Sequence, residues 1–354
     1  MIPFLENVTR GRGIPRERLK SVAEHYYRFD GVSPINGHNR ALVTALSERL
    51  DIPVYWGNRN WHPLLTEEVG RMKDDGVKRT LAFVTSAYGG YSSCRQYLDD
   101  IAAARETAGA GAPEIDKLRL FYNHPEFVAF WVASLQQALT EVGRRESGPA
   151  GATAEGRHAG GTTGAGGSTT TGAGTEVPVL FSAHSIPTSM ANTSPYRQQV
   201  SETARLVAAG AGVPDEQWQL VWQSRSGPPT QPWLEPSLEH AIQALPAGTH
   251  TTVVVPIGFV SDHMEVAFDI DIAAKELAAS RGIDLVRAAT PGSDPRFVDM
   301  ICSLVEERQD PHKPRPALGE TGPWPDVCPE GHCPRPQRPG AGADGSHQRD
   351  RPKP

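Results

Sequence analysis

Thr251-Thr252-Val253-Val254-Val255-Pro256-Ile257-Gly258-Phe259-Val260-Ser261-Asp262-His263-Met264-Glu265 is the stretch on which the fold turns. Its first half is β-branched and apolar, as a buried strand is. Pro256 and Gly258 interrupt the run. Asp262 suits an N-cap, and acids suit the first turn of a helix. The stretch therefore reads as strand, short loop and helix start, the unit from which parallel α/β sheets are built. A second copy of this order lies upstream. Val177-Pro178-Val179-Leu180-Phe181-Ser182 is strand-like, Ala183-His184-Ser185-Ile186-Pro187 forms the loop, and Pro195–Ala209 has helical spacing.

Working outward, the rhythm continues in both directions. Downstream lie a helix over Glu265–Arg281, a strand at Ile283–Val286 and a helix over Phe297–Arg308. Between the two copies, Trp218–Gln223 alternates as a strand and Leu238–Ala244 as a helix. The first 146 residues hold helical candidates at Arg16–Tyr27, Asn39–Leu50, Leu65–Asp75, Ser93–Ala108 and Pro125–Val142. Strand candidates lie at Pro53–Trp56, Thr80–Val84 and Leu118–Tyr122. Two α/β halves are expected, 1–146 and 177–308, each a parallel sheet flanked by helices. Between them, residues 147–176 are nearly all Gly, Ala, Thr and Ser, too poor in apolar surface to offset ordering entropy. This segment is expected to be a disordered insertion, and no Gly-Lys-Ser/Thr follows it to make a phosphate loop. Residues 309–354 form a Pro- and Gly-rich tail. A doubly wound half ordinarily opens on a strand, so a first strand is expected to be missing here.

With 35 basic against 41 acidic residues, the chain has a net charge of −6. That excludes nucleic acid as the main partner. No apolar run reaches the roughly 20 residues of a spanning helix, and Met1-Ile2-Pro3-Phe4-Leu5-Glu6 does not read as a signal peptide. A soluble cytoplasmic monomer is the expectation. Four cysteines in 354 residues do not make a disulfide scaffold.

Ligands of open α/β sheets bind beyond the carboxyl ends of the strands. His184 stands at one such end. Asp262, His263 and Glu265 stand at another. Asp269 follows Glu265 at i+4, which places both carboxylates on one helical face. Imidazole with carboxylate suits Fe²⁺, and a two-residue site leaves positions open for a metal to arrive and leave.

At these residues the chain resembles the ferrochelatase family. Ser182-Ala183-His184-Ser185-Ile186-Pro187 and Pro256–Glu265 are similar to its two signature stretches, and Trp222-Gln223-Ser224-Arg225-Ser226-Gly227-Pro228-Pro229 to the loop between them. Arg10-Gly11-Arg12, Gly31–Ile35 and Phe121–Pro125 resemble the entrance of the porphyrin cleft. The resemblance implies two Rossmann-like, chelatase-type halves with a porphyrin cleft between them. It implies His184 and Glu265 as the catalytic and metal-site pair, with Asp269 extending the metal and proton route. Ser33 and Tyr122 match porphyrin-contacting positions, and Arg10, Arg12 and Tyr26 lie in matching cleft segments. Two arginines suit propionates, which guanidinium pairs bidentately.

Ferrous iron is then a substrate together with a porphyrin. Coproporphyrin III is preferred over protoporphyrin IX, because the Tyr88-Gly89-Gly90-Tyr91-Ser92-Ser93 loop reads as a polar lip. A cobalt chelatase is disfavoured, since Glu265 stands where a second His is usual. The alternative from another class is a porphyrin carrier without catalysis. Cys328 and Cys333 resemble the C-terminal ligands of a [2Fe–2S] cluster found in some members. His332 stands where a further Cys is expected, the middle ligand would fall near residues 147–176, and Cys94 and Cys302 read as buried thiols. Such clusters need four thiolates as a rule.

Overall fold

A computed structural model describes residues 1–9, 13–146, 177–228 and 230–336. The expected insertion at 147–176 lies outside the described residues, as do Arg10, Arg12 and the last part of the tail. In chain order the elements are α1 (Ile2–Val8), α2 (Arg16–Tyr27), α3 (Ile35–Ser47), α4 (Leu65–Asp74), β1 (Arg79–Ala82), α5 (Gln96–Ala108), β2 (Glu114–Lys117) and α6 (Pro125–Glu146). After the gap come β3 (Val179–His184), α7 (Thr188–Ala191), α8 (Tyr196–Ala211), β4 (Trp218–Gln223), α9 (Leu238–Ala244) and β5 (Thr251–Val255). The series ends with α10 (Met264–Ala267), α11 (Lys275–Ser280), β6 (Asp284–Arg287) and α12 (Pro295–Gln309).

All strand pairs are parallel. The second half is a four-stranded sheet in the order β4-β3-β5-β6. The chain moves outward from β3 to β4, then returns past β3 to β5. The order therefore reverses between β3 and β5, and in sheets of this kind the ligand crevice lies above the carboxyl ends at that point. β3 is buried along almost its whole length and β5 along all of it, which is why both read as continuous apolar runs. Their alternate residues divide between two faces. Val179, Phe181, Ala183, Val253 and Val255 join the core beneath α6, α8 and α12. Leu180 and Val254 join the opposite core with Leu238, Ile242, Val266, Ile270 and Ala278.

The first half departs from expectation. Its described sheet has two strands, β1 and β2. Pro53–Trp56 runs outside any ladder, because no neighbouring strand supplies its partners. The apolar run Leu118–Tyr122 is not the second strand either. The ladder takes the polar Glu114–Lys117, paired on one side only, and the apolar residues beyond it plunge into the core. There Phe121 packs on Phe83 and Phe297 at ring distances of 5.1 and 5.9 Å. One core thus runs through both halves.

A buried ion pair ties this junction together. Arg119 and Glu307 of α12 have side chains 0% and 3% exposed. The guanidinium donates to both carboxylate oxygens and to the carbonyls of Leu120 and Pro316. Beyond α12 the chain stays attached. Leu318 donates its amide to the Asn123 carbonyl, and the Asn123 side chain donates to the carbonyls of Leu318 and Gly322.

Removing one partner of a dry ion pair strands the other charge. Glu307→Ala is expected to lower unfolding free energy by about 3–5 kcal/mol in urea denaturation, and Arg119→Leu with Glu307→Leu to recover most of that loss. Equal destabilisation by the single and double variants would contradict it.

Candidate functional site

The crevice between β3 and β5 exists because the chain leaving β5 presses on the end of β3. A Cβ on Gly258 would meet Cα and Cβ of Ala183 at 2.7 Å. The Gly258 amide donates to the Ser182 carbonyl at 3.0 Å. Only glycine permits this approach. It carries the next residues, up to α10, alongside His184.

His184, the last residue of β3, then faces Glu265 of α10, with Nε2 3.4 Å from Oε1. The other ring nitrogen, Nδ1, lies 2.5 Å from the Ser185 carbonyl. A carbonyl only accepts, so Nδ1 carries the hydrogen. That leaves Nε2, with its lone pair in the neutral ring, pointing at the carboxylate. The side chains stay open to solvent, 31% exposed for His184 and 44% for Glu265. Burial opposes charge on the imidazole, yet the charge and hydrogen bond of Glu265, the Ser185 carbonyl and Asp269 together raise its pKa above the usual histidine value. Burial likewise opposes ionisation of Glu265, and His184 with His263 nonetheless holds its pKa below the usual carboxylate value. The pair favours imidazolium and carboxylate.

Asp269 completes the group in a different way from that expected. Glu265–Arg281 is not one regular helix. α10 stops at Ala267 and a π-helical turn follows over Asp269–Ala274. There the Ala273 amide reaches back five residues to the Phe268 carbonyl at 2.9 Å. Such widened turns recur at functional sites. Asp269 accepts a hydrogen bond from Ser224 Oγ at 2.5 Å. Burial chiefly, then the negative charges of Glu265 and Glu239, push its pKa up to about 6, against the opposing pull of Ser224 and His184. Ser224 itself sits at φ 61°, a left-handed conformation unusual for a side-chain-bearing residue.

The N-cap is also reassigned. His263, not Asp262, caps α10, its Nδ1 accepting from the Glu265 amide at 3.1 Å. Asp262 and Asp271 turn away to Arg287.

Of the other residues expected at the site, Tyr26 is brought to it. Burial and the charge of Glu265 push its phenol up to about 12. Ser33 stands half-buried just before α3, its Oγ accepting weakly from the Ile35 amide at 3.4 Å. Tyr122 is not brought there. Its ring is buried in the core and its hydroxyl lies 2.8 Å from Thr321 Oγ1 in the tail. The Tyr88–Ser93 loop is not an open polar lip, since Tyr88, Gly89 and Gly90 are buried. Tyr88 donates its hydroxyl to the Ile257 carbonyl and so braces the end of β5. Two supports carried no sequence signal of their role. Tyr196 donates to the His184 carbonyl at 2.9 Å, and Gln223 Nε2 to the Glu265 carbonyl at 2.5 Å. The order Trp222–Ser224 is part of a motif resemblance, but nothing in it reveals which atoms it holds.

The cysteines converge more than their spacing suggests. Cys94, buried in the π-helical turn Tyr91–Arg95 just before α5, is hydrogen-bonded to Cys328, with Cys333 close by. Trp324 Nε1 donates to Cys328 Sγ at 3.4 Å. Hydrogen bonds from Cys94 and Trp324 pull the Cys328 thiol down to about 5 against its burial. A [2Fe–2S] cluster needs a fourth thiolate, and Cys302 is on α12 instead. Among the described residues no group of three or more His, Cys, Asp or Glu side chains is gathered to hold a metal ion. These residues do not fit a four-cysteine cluster.

The parallel α/β sheet thus presents at its switch point an imidazole and a carboxylate, donors that suit a divalent metal. The family model "Ferrochelatase" matches residues 1–309. A ferrochelatase of Rhodopirellula baltica is 47% identical over 340 residues, covering 94% of this chain and 88% of that one. Coproporphyrin III ferrochelatases of Mycobacteroides abscessus and Frankia alni are 46% and 44% identical, covering 90% and 96% of this chain and 86% and 83% of theirs. The chain belongs to the ferrochelatase family. Ferrous iron and a porphyrin are accordingly its substrates. Among the described residues no helix is long and apolar enough to cross a membrane.

The charge of Glu265 favours imidazolium, so removing it must move the His184 titration to lower pH. NMR titration of the His184 ring in Glu265→Gln is expected to show that shift without depending on turnover. A midpoint that stays put or rises would show the two groups to be uncoupled.

Proposed function

We propose that this chain inserts Fe²⁺ into coproporphyrin III, with His184 as the base that receives the pyrrole protons. The facing of His184 Nε2 and Glu265 Oε1 at 3.4 Å is the observation that carries this reading. Insertion exchanges two N–H protons for one Fe²⁺, so charge balances only if both protons leave. His184 takes a proton in its neutral form, with the lone pair on Nε2, and the Glu265 charge that raises its pKa makes it the stronger base and stabilises the imidazolium that results. Asp269, poised at about 6, is the next acceptor on the way to solvent. The same oxygens suit a divalent ion on its way in. Proton departure and metal arrival thereby share one short line of groups.

Residues 1–146 and 177–308 act as the two walls that hold the macrocycle over this line. Tyr26 and Ser33 serve as porphyrin contacts on the first wall, with Arg10 and Arg12 as partners for propionates. Distorting a flat ring so that a pyrrole nitrogen faces His184 draws on binding energy from such remote groups. Four propionates give coproporphyrin more to grip than the two of protoporphyrin. The names of the mycobacterial and Frankia relatives support that choice. All groups invoked come from one chain, so a monomer working in the cytoplasm suffices.

Anaerobic Fe²⁺ insertion, followed by loss of the free-porphyrin spectrum, tests the reading. Native protein is expected to turn over coproporphyrin III with a higher kcat/KM than protoporphyrin IX. His184→Ala is expected to lose about 10²–10⁴-fold in kcat while still quenching porphyrin fluorescence. Porphyrin binding by native protein with no iron insertion would identify a carrier and end the proposal.

A further inference from the structure

Four acids lie on the segment from residue 262 to residue 271, but they do not share one environment. Asp262 and Asp271, the outer two, are both held by Arg287 at the end of β6. Its Nη1 and Nη2 meet Asp262 Oδ1 and Oδ2 at 3.2 and 3.1 Å. Its Nε lies 3.0 Å from each oxygen of Asp271. Thr290 Oγ1 adds a bond to Asp262 at 2.8 Å, and Lys275 Nζ one to Asp271 at 3.0 Å. The three side chains are largely buried, at 17% exposure for Arg287 and 27% for each aspartate. The inner two acids, Glu265 and Asp269, have no lysine or arginine among their described partners and face His184 and Ser224.

One planar guanidinium therefore fastens both ends of the segment that bears Glu265 and Asp269. The first tie is just before α10 and the second lies within the π-helical turn. With the ends fixed to β6, the intervening carboxylates are directed towards β3 and β4. Together with Lys275 the same pairing balances two carboxylates that would otherwise compete for a divalent ion. Removing the guanidinium leaves two aspartates on one segment free to attract a cation.

We propose that Arg287 is a positioning residue for iron delivery, clamping Asp262 and Asp271 so that incoming metal is directed to Glu265 and His184. The inference rests on the iron-insertion reading above. Arg287 touches neither substrate. It acts through the geometry of the segment and by withholding a competing site. Lysine is not an adequate replacement, because one ammonium lacks the fork that meets two carboxylates at once.

Arg287→Met is expected to raise KM for Fe²⁺ by about tenfold, the worth of one charge-assisted hydrogen bond, with KM for porphyrin unchanged. Calorimetric titration with Zn²⁺ as the probe should show an added binding event in this variant. Asp262→Asn and Asp271→Asn in the same background should abolish that event without restoring KM for Fe²⁺. Arg287→Lys keeps the charge and loses the fork, so it should show a raised KM for Fe²⁺ and no added Zn²⁺ binding. Should Arg287→Met fail to fold, the KM values of the lysine variant carry the test alone. Parallel changes in both KM values, the absence of added Zn²⁺ binding in Arg287→Met, or native kinetics in Arg287→Lys would overturn the proposal. Native protein run alongside His184→Ala separates this result from failure of the reading beneath it. If native protein inserts no iron, the function is wrong; if it does and Arg287 variants behave as native, only the clamp is wrong.

Discussion

The site depends on one close approach, that of the chain at Gly258 to the backbone of Ala183. Parallel pairing brings β3 and β5 together over Val179–Phe181 and Val253–Val255, but the ladder ends before the chemistry begins. What continues the alignment is steric permission. Without a Cβ at 258, the strand-to-helix connection runs against β3 to its last residue, and His184 and Glu265 end up facing one another. Any side chain there would wedge the two strand ends apart. A pair made of one residue from a strand end and one from the next helix has no internal geometry of its own, so this contact sets it.

Electrostatic division of labour follows from the same placement. The imidazole and its carboxylate each hold the other in charged form against burial, which neither would achieve alone. Nearby, an arginine satisfies two further acids, while a third is left close to the point of protonation. Four carboxylates on ten residues thus behave as three kinds of group. Composition does not distinguish them; their partners do. Those partners come from β3, from the residue after β4 and from β6, all distant from the segment in sequence or brought to it by the sheet.

That dependence explains what was legible in the sequence. The second sheet could be read almost strand by strand, because β3 and β5 are buried on both faces and hence uniformly apolar. His184 and Glu265 were legible for a related reason: strand ends in parallel sheets point into the crevice. The first half misled, since a buried connection is as apolar as a buried strand. Leu118–Tyr122 is the former, and the polar Glu114–Lys117 the latter's edge counterpart. The π-helical turn was invisible because five-residue hydrogen bonding has no distinct apolar period. Tyr122 looked like a porphyrin contact by motif, yet its hydroxyl is satisfied by Thr321, nearly two hundred positions later. Cys94 and Cys328 meet across a similar separation, which spacing rules for ligands do not span.

The reach of the polypeptide beyond α12 has a practical side. The family model stops at residue 309, whereas the folded body does not, and the relatives match well past that point. A protein shortened at that border would retain every residue of the crevice and still lose the lids over Arg119, Tyr122 and Asn123. Asn123 would then lose its acceptors and Arg119 the Pro316 carbonyl, though not Glu307, beside the aromatic junction of the two halves. The edge of the family model and the mechanical edge of this molecule therefore fall at different places, and only the latter marks where it can safely be cut.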